Sequence, residues 1–164
     1  SDDIVFDGLI SGNGGVSKFG NGKLTLTADS TYSNGTVIAA GTLQLGNGGT
    51  GGNIGSSAIN NLGTLIFNRS DTLTFNAVIS GTGNVVQMGS GTTVLGAGNS
   101  YLGGTTIAAG TLQVTSNTSV ASGVVTLDGD RLAVASDARF LVRSVAAAFD
   151  AHLDAAKQLY SRAV

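Results

Sequence analysis

The chain has 164 residues, 41% hydrophobic but only 5% aromatic and 11% charged, with 26 glycines, no proline, cysteine or tryptophan and a formal net charge of -2. So little aromatic mass and charge argues against a compact enzyme core, and a weakly acidic chain without a basic run argues against a nucleic-acid partner. No apolar run approaches the roughly 18 residues that cross a bilayer, and the opening SDDIVFDG lacks a basic region followed by an apolar one, so no direct membrane insertion is expected.

Any export signal or anchor is therefore expected outside this stretch. The lack of cysteine fits any redox compartment and suits a chain that crosses a membrane unfolded.

In chain order, short alternating runs recur: KLTLT from Lys23, TLQL from Thr42, TLIF from Thr64, TLTF from Thr72, TLQV from Thr111 and VVTL from Val124. Apolar residues two apart, such as Leu24 and Leu26 or Leu65 and Phe67, fall on one face of a strand. Between the runs lie GNGG, SNGT, GNGGTGGN and GAGNS, which read as turns. Leu24, Leu43 and Leu65 each open an apolar pair and lie 19 and 22 residues apart, a spacing that suits a coil of two or three short strands.

The chain also repeats itself. TVIAAGTLQLGN from Thr36 returns as TTIAAGTLQVTS from Thr105, 69 residues on. The same ungapped offset relates Phe6 to Phe75, Gly12 to Gly81, Val16 to Val85, Tyr32 to Tyr101, Gly41 to Gly110 and Gln44 to Gln113. A fixed offset over some forty residues means two copies of one structural unit. A single coil of about twenty residues buries too few side chains to offset its own ordering entropy, so coils must stack. The expected fold is an all-β parallel solenoid in which the 69-residue offset amounts to about three rungs.

The pattern breaks after Gly129, the last glycine, beyond which lie ten of the nineteen charged or histidine residues. RLAVA reads as a final strand with Leu132 and Val134 inward. Val142, Val145, Phe149, Leu153, Ala156 and Tyr160 then follow helical spacing, with Arg143, Asp150, Asp154 and Lys157 mostly off that stripe. The expected division is residues 1–135 as solenoid and 136–164 as a C-terminal amphipathic α-helix. That helix either covers the open end of the solenoid or pairs with another copy. Capping is favoured, because a bare end would template aggregation.

The runs GTLQLGNGG, ISGNGGVSKFGNGKLTLTADSTYSNGTVIAAGTLQL and GTLIFNRSDTLTFNAVISGTGNVVQMGSGTTVLGAGNSYLGGTTIAAGTLQV together span about residues 6 to 116. Phe67 to Asp71, Ile79 to Gly81, Tyr32 and Tyr101, and the Gly-Thr-Leu at Gly41, Gly63 and Gly110 carry the pattern. It resembles the autotransporter-associated β-strand repeat of the passenger regions of bacterial type V secreted proteins. The resemblance implies a right-handed parallel β-helix, secreted or exposed on the bacterial surface outside the outer membrane. It implies a non-enzymatic segment supporting secretion, folding and display, with an outer-membrane β-barrel elsewhere in the parent chain. An adhesin or virulence role, contacting a host-cell or cell-surface ligand through exposed faces or loops, is the alternative. The helical tail departs from the repeat pattern, and self-association through 136–164 is a further option.

No catalytic, cofactor-binding or metal-binding residue is assigned. Gly46, Gly48 and Gly51 satisfy G-x-G-x-x-G after a strand, but no helix start follows, so they read as a turn. Arg69 and Asp71, two apart, offer a shared strand face for a polysaccharide-cleaving pair; a turn or surface ion pair is the expected role. Thr25 and Thr27 form a Thr-x-Thr pair of the kind that orders water, but the copy has Val94 and Gly96. His152 stands alone, without the cysteine or second histidine of a metal site. GNGGTGGN lacks the recurring Asp of calcium-binding glycine repeats.

Overall fold

The computed structural model describes residues 2–55 and 57–115, together with the backbone of two later strands. The strands are β1 (Ile4–Phe6), β2 (Val16–Lys18), β3 (Lys23–Leu26), β4 (Thr36–Ile38), β5 (Thr42–Leu45), β6 (Ile59–Asn61), β7 (Thr64–Phe67) and β8 (Thr72–Phe75). They continue as β9 (Ile79–Ser80), β10 (Asn84–Gln87), β11 (Thr92–Leu95), β12 (Thr105–Ile107), β13 (Thr111–Val114), β14 (Val125–Leu127) and β15 (Leu132–Val134). Every pairing among the described residues is parallel. Residues 136–164, and with them the expected helix, lie outside the described residues.

Three sheets wrap the core. A seven-stranded sheet runs β1-β3-β5-β7-β10-β12-β14, and the two four-stranded sheets run β2-β4-β6-β9 and β8-β11-β13-β15. In the seven-stranded sheet Ile4, Leu24, Leu43, Leu65, Val85, Thr105 and Val125 stand in register, one per coil. The steps are 20, 19, 22, 20, 20 and 20 residues by subtraction of those positions. The long step contains the glycine-rich loop between β5 and β6. This is the architecture of a parallel β-solenoid, and the register of Leu24, Leu43 and Leu65 is the one their spacing implies.

Inward positions build ladders at the inter-strand spacing of roughly 4.8 Å. Leu26, Leu45, Phe67 and Ile107 come from the long sheet, and Leu73, Phe75, Leu95, Leu112 and Val114 from the β8 side; all are buried. Phe67 meets Phe75 edge to face, with ring centroids 5.0 Å apart and planes at 70°. Buried Thr93 and Thr105 stand in the ladders on β11 and β12, and longer polar side chains enter beside the turns. Buried Lys18 sends Nζ to the carbonyls of Phe19 (2.8 Å), Gly20 (2.7 Å) and Ala40 (3.3 Å). Its counterpart 69 residues on, Gln87, donates Nε2 to the carbonyls of Gly89 (2.9 Å) and Gly91 (3.3 Å). Both long side chains satisfy turn carbonyls that the core would otherwise leave without partners.

The structure revises the meaning of the 69-residue offset. β4 and β5 belong to the β2 sheet and the long sheet, whereas their copies β12 and β13 belong to the long sheet and the β8 sheet. Three coils at about 20 residues account for roughly sixty residues; the remainder advances the copy by one face. The offset is thus three coils plus one side of the solenoid. Local geometry survives the change of face: Gly41 and Gly110 have φ of 67° and 64°. The two shorter sheets exchange accordingly. Beyond β9 the chain reads GAGNSY, and Asn99 Oδ1 accepts the Ile79 N–H at 2.8 Å where another strand of that sheet would have paired.

Candidate functional site

Every ionisable cluster of the described residues sits at a coil junction. Arg69 lies in the turn between β7 and β8, not on a strand face, and is 6% exposed. Its Nε and Nη2 each donate to one oxygen of Asp71 at 2.9 Å, Nη1 reaches Asp29 at 3.3 Å, and Nη2 also meets the Thr50 carbonyl. One guanidinium thereby joins segments 40 residues apart in sequence. Burial opposes its charge, but the hydrogen bonds and fields of Asp71 and Asp29 outweigh that, holding it above its ordinary value. The hydrogen bond from Arg69 holds the Asp71 carboxyl below its usual range. A general acid needs the opposite shift, so the pair is built as a clamp.

The clamp grips the glycine-rich loop. Gly46 and Gly48 have φ of 81° and 82°, the left-handed region that glycine enters freely. The Gly48 N–H donates to the Asn68 carbonyl at 2.8 Å and the Gly49 carbonyl accepts from Ser70 at 2.9 Å. A phosphate cradle needs free N–H groups leading into a helix; here the loop leads to β6 and its Gly48 amide is engaged. Gly51 continues the same loop, close to the Thr27 carbonyl.

Replacing Arg69 with alanine is expected to cost about 1–3 kcal/mol, since it removes charge-assisted hydrogen bonds from a buried position. Lysine should restore only part, lacking the planar fork. Because the folded-state pKa of Asp71 is lowered, its contribution is present above the unfolded carboxylate value of about 4 and lost as pH falls through the folded one. Urea unfolding of both proteins should therefore show the gap between them shrinking in acid.

Tyr32 and Tyr101 are buried, each bonded through its hydroxyl to the threonine four residues on: Thr36 at 2.6 Å and Thr105 at 2.5 Å. Burial raises both phenol pKa values, that of Tyr101 to about 12, against the lowering effect of the threonine bonds. Tyr101→Phe should cost about 1–2 kcal/mol by leaving Thr105 without its partner. With a raised folded value, the Tyr101 contribution is complete below the unfolded value of about 10 and lost as pH rises through 12. An alkaline unfolding series on wild type and Y101F checks both statements.

Thr25 is 1% exposed and stands in register with Gln44 and Ile66, while Thr27 donates to Asp7 at 2.6 Å. The two threonines form no exposed array. Asp3 accepts from the Lys23 N–H at 2.8 Å and pairs with its Nζ at 3.7 Å. His152 lies outside the described residues, among which no group of three His, Cys, Asp or Glu side chains could hold a metal ion.

Sequence reasoning missed a trough on the outer face of the β2 sheet. One depression of about 400 Å³ is lined by Asn34, Val37, Asn60 and Ser80; a second of about 520 Å³ by Asp29, Thr31 and Asn53. Ser33 and Ser57 line both. The first depression arises because β4, β6 and β9 align their outward side chains, the second lies among the segments that precede β4 and β6, and strand pairing across coils is not written in any one segment.

The passenger-associated-transport-repeat family model matches residues 16–45 and 85–114. The chain carries two passenger-associated-transport repeats. Each repeat holds two stacked strand pairs: β2 on β4 with β3 on β5 in the first, β10 on β12 with β11 on β13 in the second. The repeat is thus a two-rung unit, and the solenoid uses it on two different pairs of faces.

Over 45 residues the chain is 80% identical to an oxygen-independent coproporphyrinogen III oxidase of Bradyrhizobium diazoefficiens. It amounts to 27% of this chain and 10% of that protein, so the chain spans about a tenth of the curated relative it matches. No solved structure matches the chain at a significant level.

Proposed function

We propose that the chain is a structural, non-enzymatic segment of a bacterial autotransporter passenger, supporting its secretion, folding and display at the cell surface. The observation that carries this reading is the pair of transport repeats, each built as two stacked rungs within one continuous parallel solenoid. Rung-on-rung pairing lets each coil fold on the one before it, which suits a passenger that emerges from its pore progressively. The parent chain's outer-membrane β-barrel is the partner implied. The 45 residues shared with the oxidase are a tenth of that enzyme and carry no oxidase activity in this reading.

The test places the chain between the export signal and barrel of an unrelated autotransporter and measures surface arrival by protease accessibility on intact cells. Surface arrival should exceed that of an equally long glycine-serine linker; equal or lower arrival defeats the reading. A second reading, an adhesive module, is favoured by the depression on the β2 sheet, whose serine and asparagine lining, with Asp29 in the adjoining one, suits a polar cell-surface ligand. Displayed cells that bind host cells equally well with and without Val37→Asp and Asn60→Asp would count against it.

A further inference from the structure

The tetrapeptide GNGG occurs twice, at residues 12–15 and 46–49, in unlike surroundings. Both asparagines are exposed. At the first site the Gly14 carbonyl accepts from Asn34 at 3.2 Å, but among the described residues the Gly14 N–H and the Asn13 side chain make no hydrogen bond. A methyl group placed on Gly14 or on Gly48 would meet nothing within 4 Å, so steric room does not separate the two sites. At the second site the Gly48 N–H is held by the Asn68 carbonyl at 2.8 Å, and Asn47 Oδ1 lies 3.5 Å from Gln44 Nε2. The flanking backbone is pinned at both sites, by Ser33 N–H to the Gly12 carbonyl at the first and by Gly46 N–H to Leu26 and Ser70 N–H to Gly49 at the second, so the Gly48 N–H bond is the difference at the nucleophile.

We infer that Asn13 is a site of spontaneous deamidation and that the solenoid protects its twin, Asn47. The Gly14 amide nitrogen loses its proton and attacks Asn13 Cγ. The new N–Cγ bond closes a succinimide, the Cγ–Nδ2 bond breaks, and ammonia leaves carrying the proton. Water then opens either imide carbonyl, giving aspartate or isoaspartate. Glycine at the following position removes the side chain that would hinder ring closure, and this holds equally at both sites. What differs is the nucleophile: the Gly48 nitrogen must first break a backbone hydrogen bond and turn out of a pinned loop. Each conversion adds a negative charge to an N-terminal coil that already carries Asp2, Asp3 and Asp7.

The experiment incubates the purified full chain at mildly alkaline pH and follows both asparagines by peptide mapping and mass spectrometry. Asn13, in the tryptic peptide ending at Lys18, should convert to both acid products roughly 5-fold to 30-fold faster than Asn47, the factor that one or two kcal/mol of local restraint supplies. In urea-unfolded protein the two rates should converge, because the tetrapeptides are identical. Equal or reversed rates in the folded chain would overturn the inference, as would a difference that persists in urea.

Discussion

Gly110→Ala should destabilise the solenoid by about 2–5 kcal/mol. Two costs combine. Gly110 has φ of 64°, and an L-residue with a side chain loses roughly 1–2 kcal/mol in that left-handed conformation. An added Cβ would also collide with the carbonyl oxygens of Gly89 and Gly91, backbone atoms of the preceding coil, and overpacking of this kind costs typically 1–3 kcal/mol. Gly41, its counterpart, meets the carbonyls of Gly20 and Gly22 in the same manner, so G41A should behave alike although it lies on a different face. The control is Gly49→Ala. Gly49 lacks a positive φ and has open space at the Cβ position, so the change should fall within about 0.5 kcal/mol. Urea midpoints at unchanged slope measure all three, and a neutral G110A would show that the coils are not in the close contact described here.

Phe67→Ala is the second large effect, expected to cost about 3–5 kcal/mol. The ring is wholly buried, stands in register between Leu45 and Gln87, and meets Phe75 edge to face. Truncation leaves a cavity in the centre of the ladder, where neighbouring coils are fixed by their own hydrogen bonds and collapse little. Phe67→Leu keeps most of the volume and should cost markedly less. Phe19→Ala removes the same ring from a position that is 72% exposed and should change stability by no more than about 0.5 kcal/mol. If F67A and F19A proved equivalent, the core assignment would fail.

These two substitutions also mark a boundary between local and long-range information. The alternation of Leu65 and Phe67 marks a strand with one buried face, and the spacing of Leu24, Leu43 and Leu65 predicts the coil length, because side chains alternate with period two and coils close at nearly constant length. All six apolar runs read from the sequence are strands. The strands that escaped notice, such as β2, β6 and β9, are two or three residues long and carry Ser, Lys or Asn, so no local periodicity distinguishes them from turns. Their strand character comes from pairing with segments about twenty residues away. Arg69 and Asp71 were visible as neighbours two apart, yet Asp29 and the Thr50 carbonyl join them only through the stacking of coils.

Composition, alternation and the ungapped offset were enough to establish an all-β solenoid with a duplicated unit, since each follows from local stereochemistry or from direct comparison of one stretch with another. The face on which each copy sits was not accessible that way. It depends on the sum of every turn length between the copies, and the rotation by one face appears only when all coils are closed. The contrast between the two GNGG tetrapeptides has the same origin. Their covalent chemistry is identical, and the hydrogen bond that restrains the attacking Gly48 nitrogen is made with Asn68, a residue that only the next coil brings within reach.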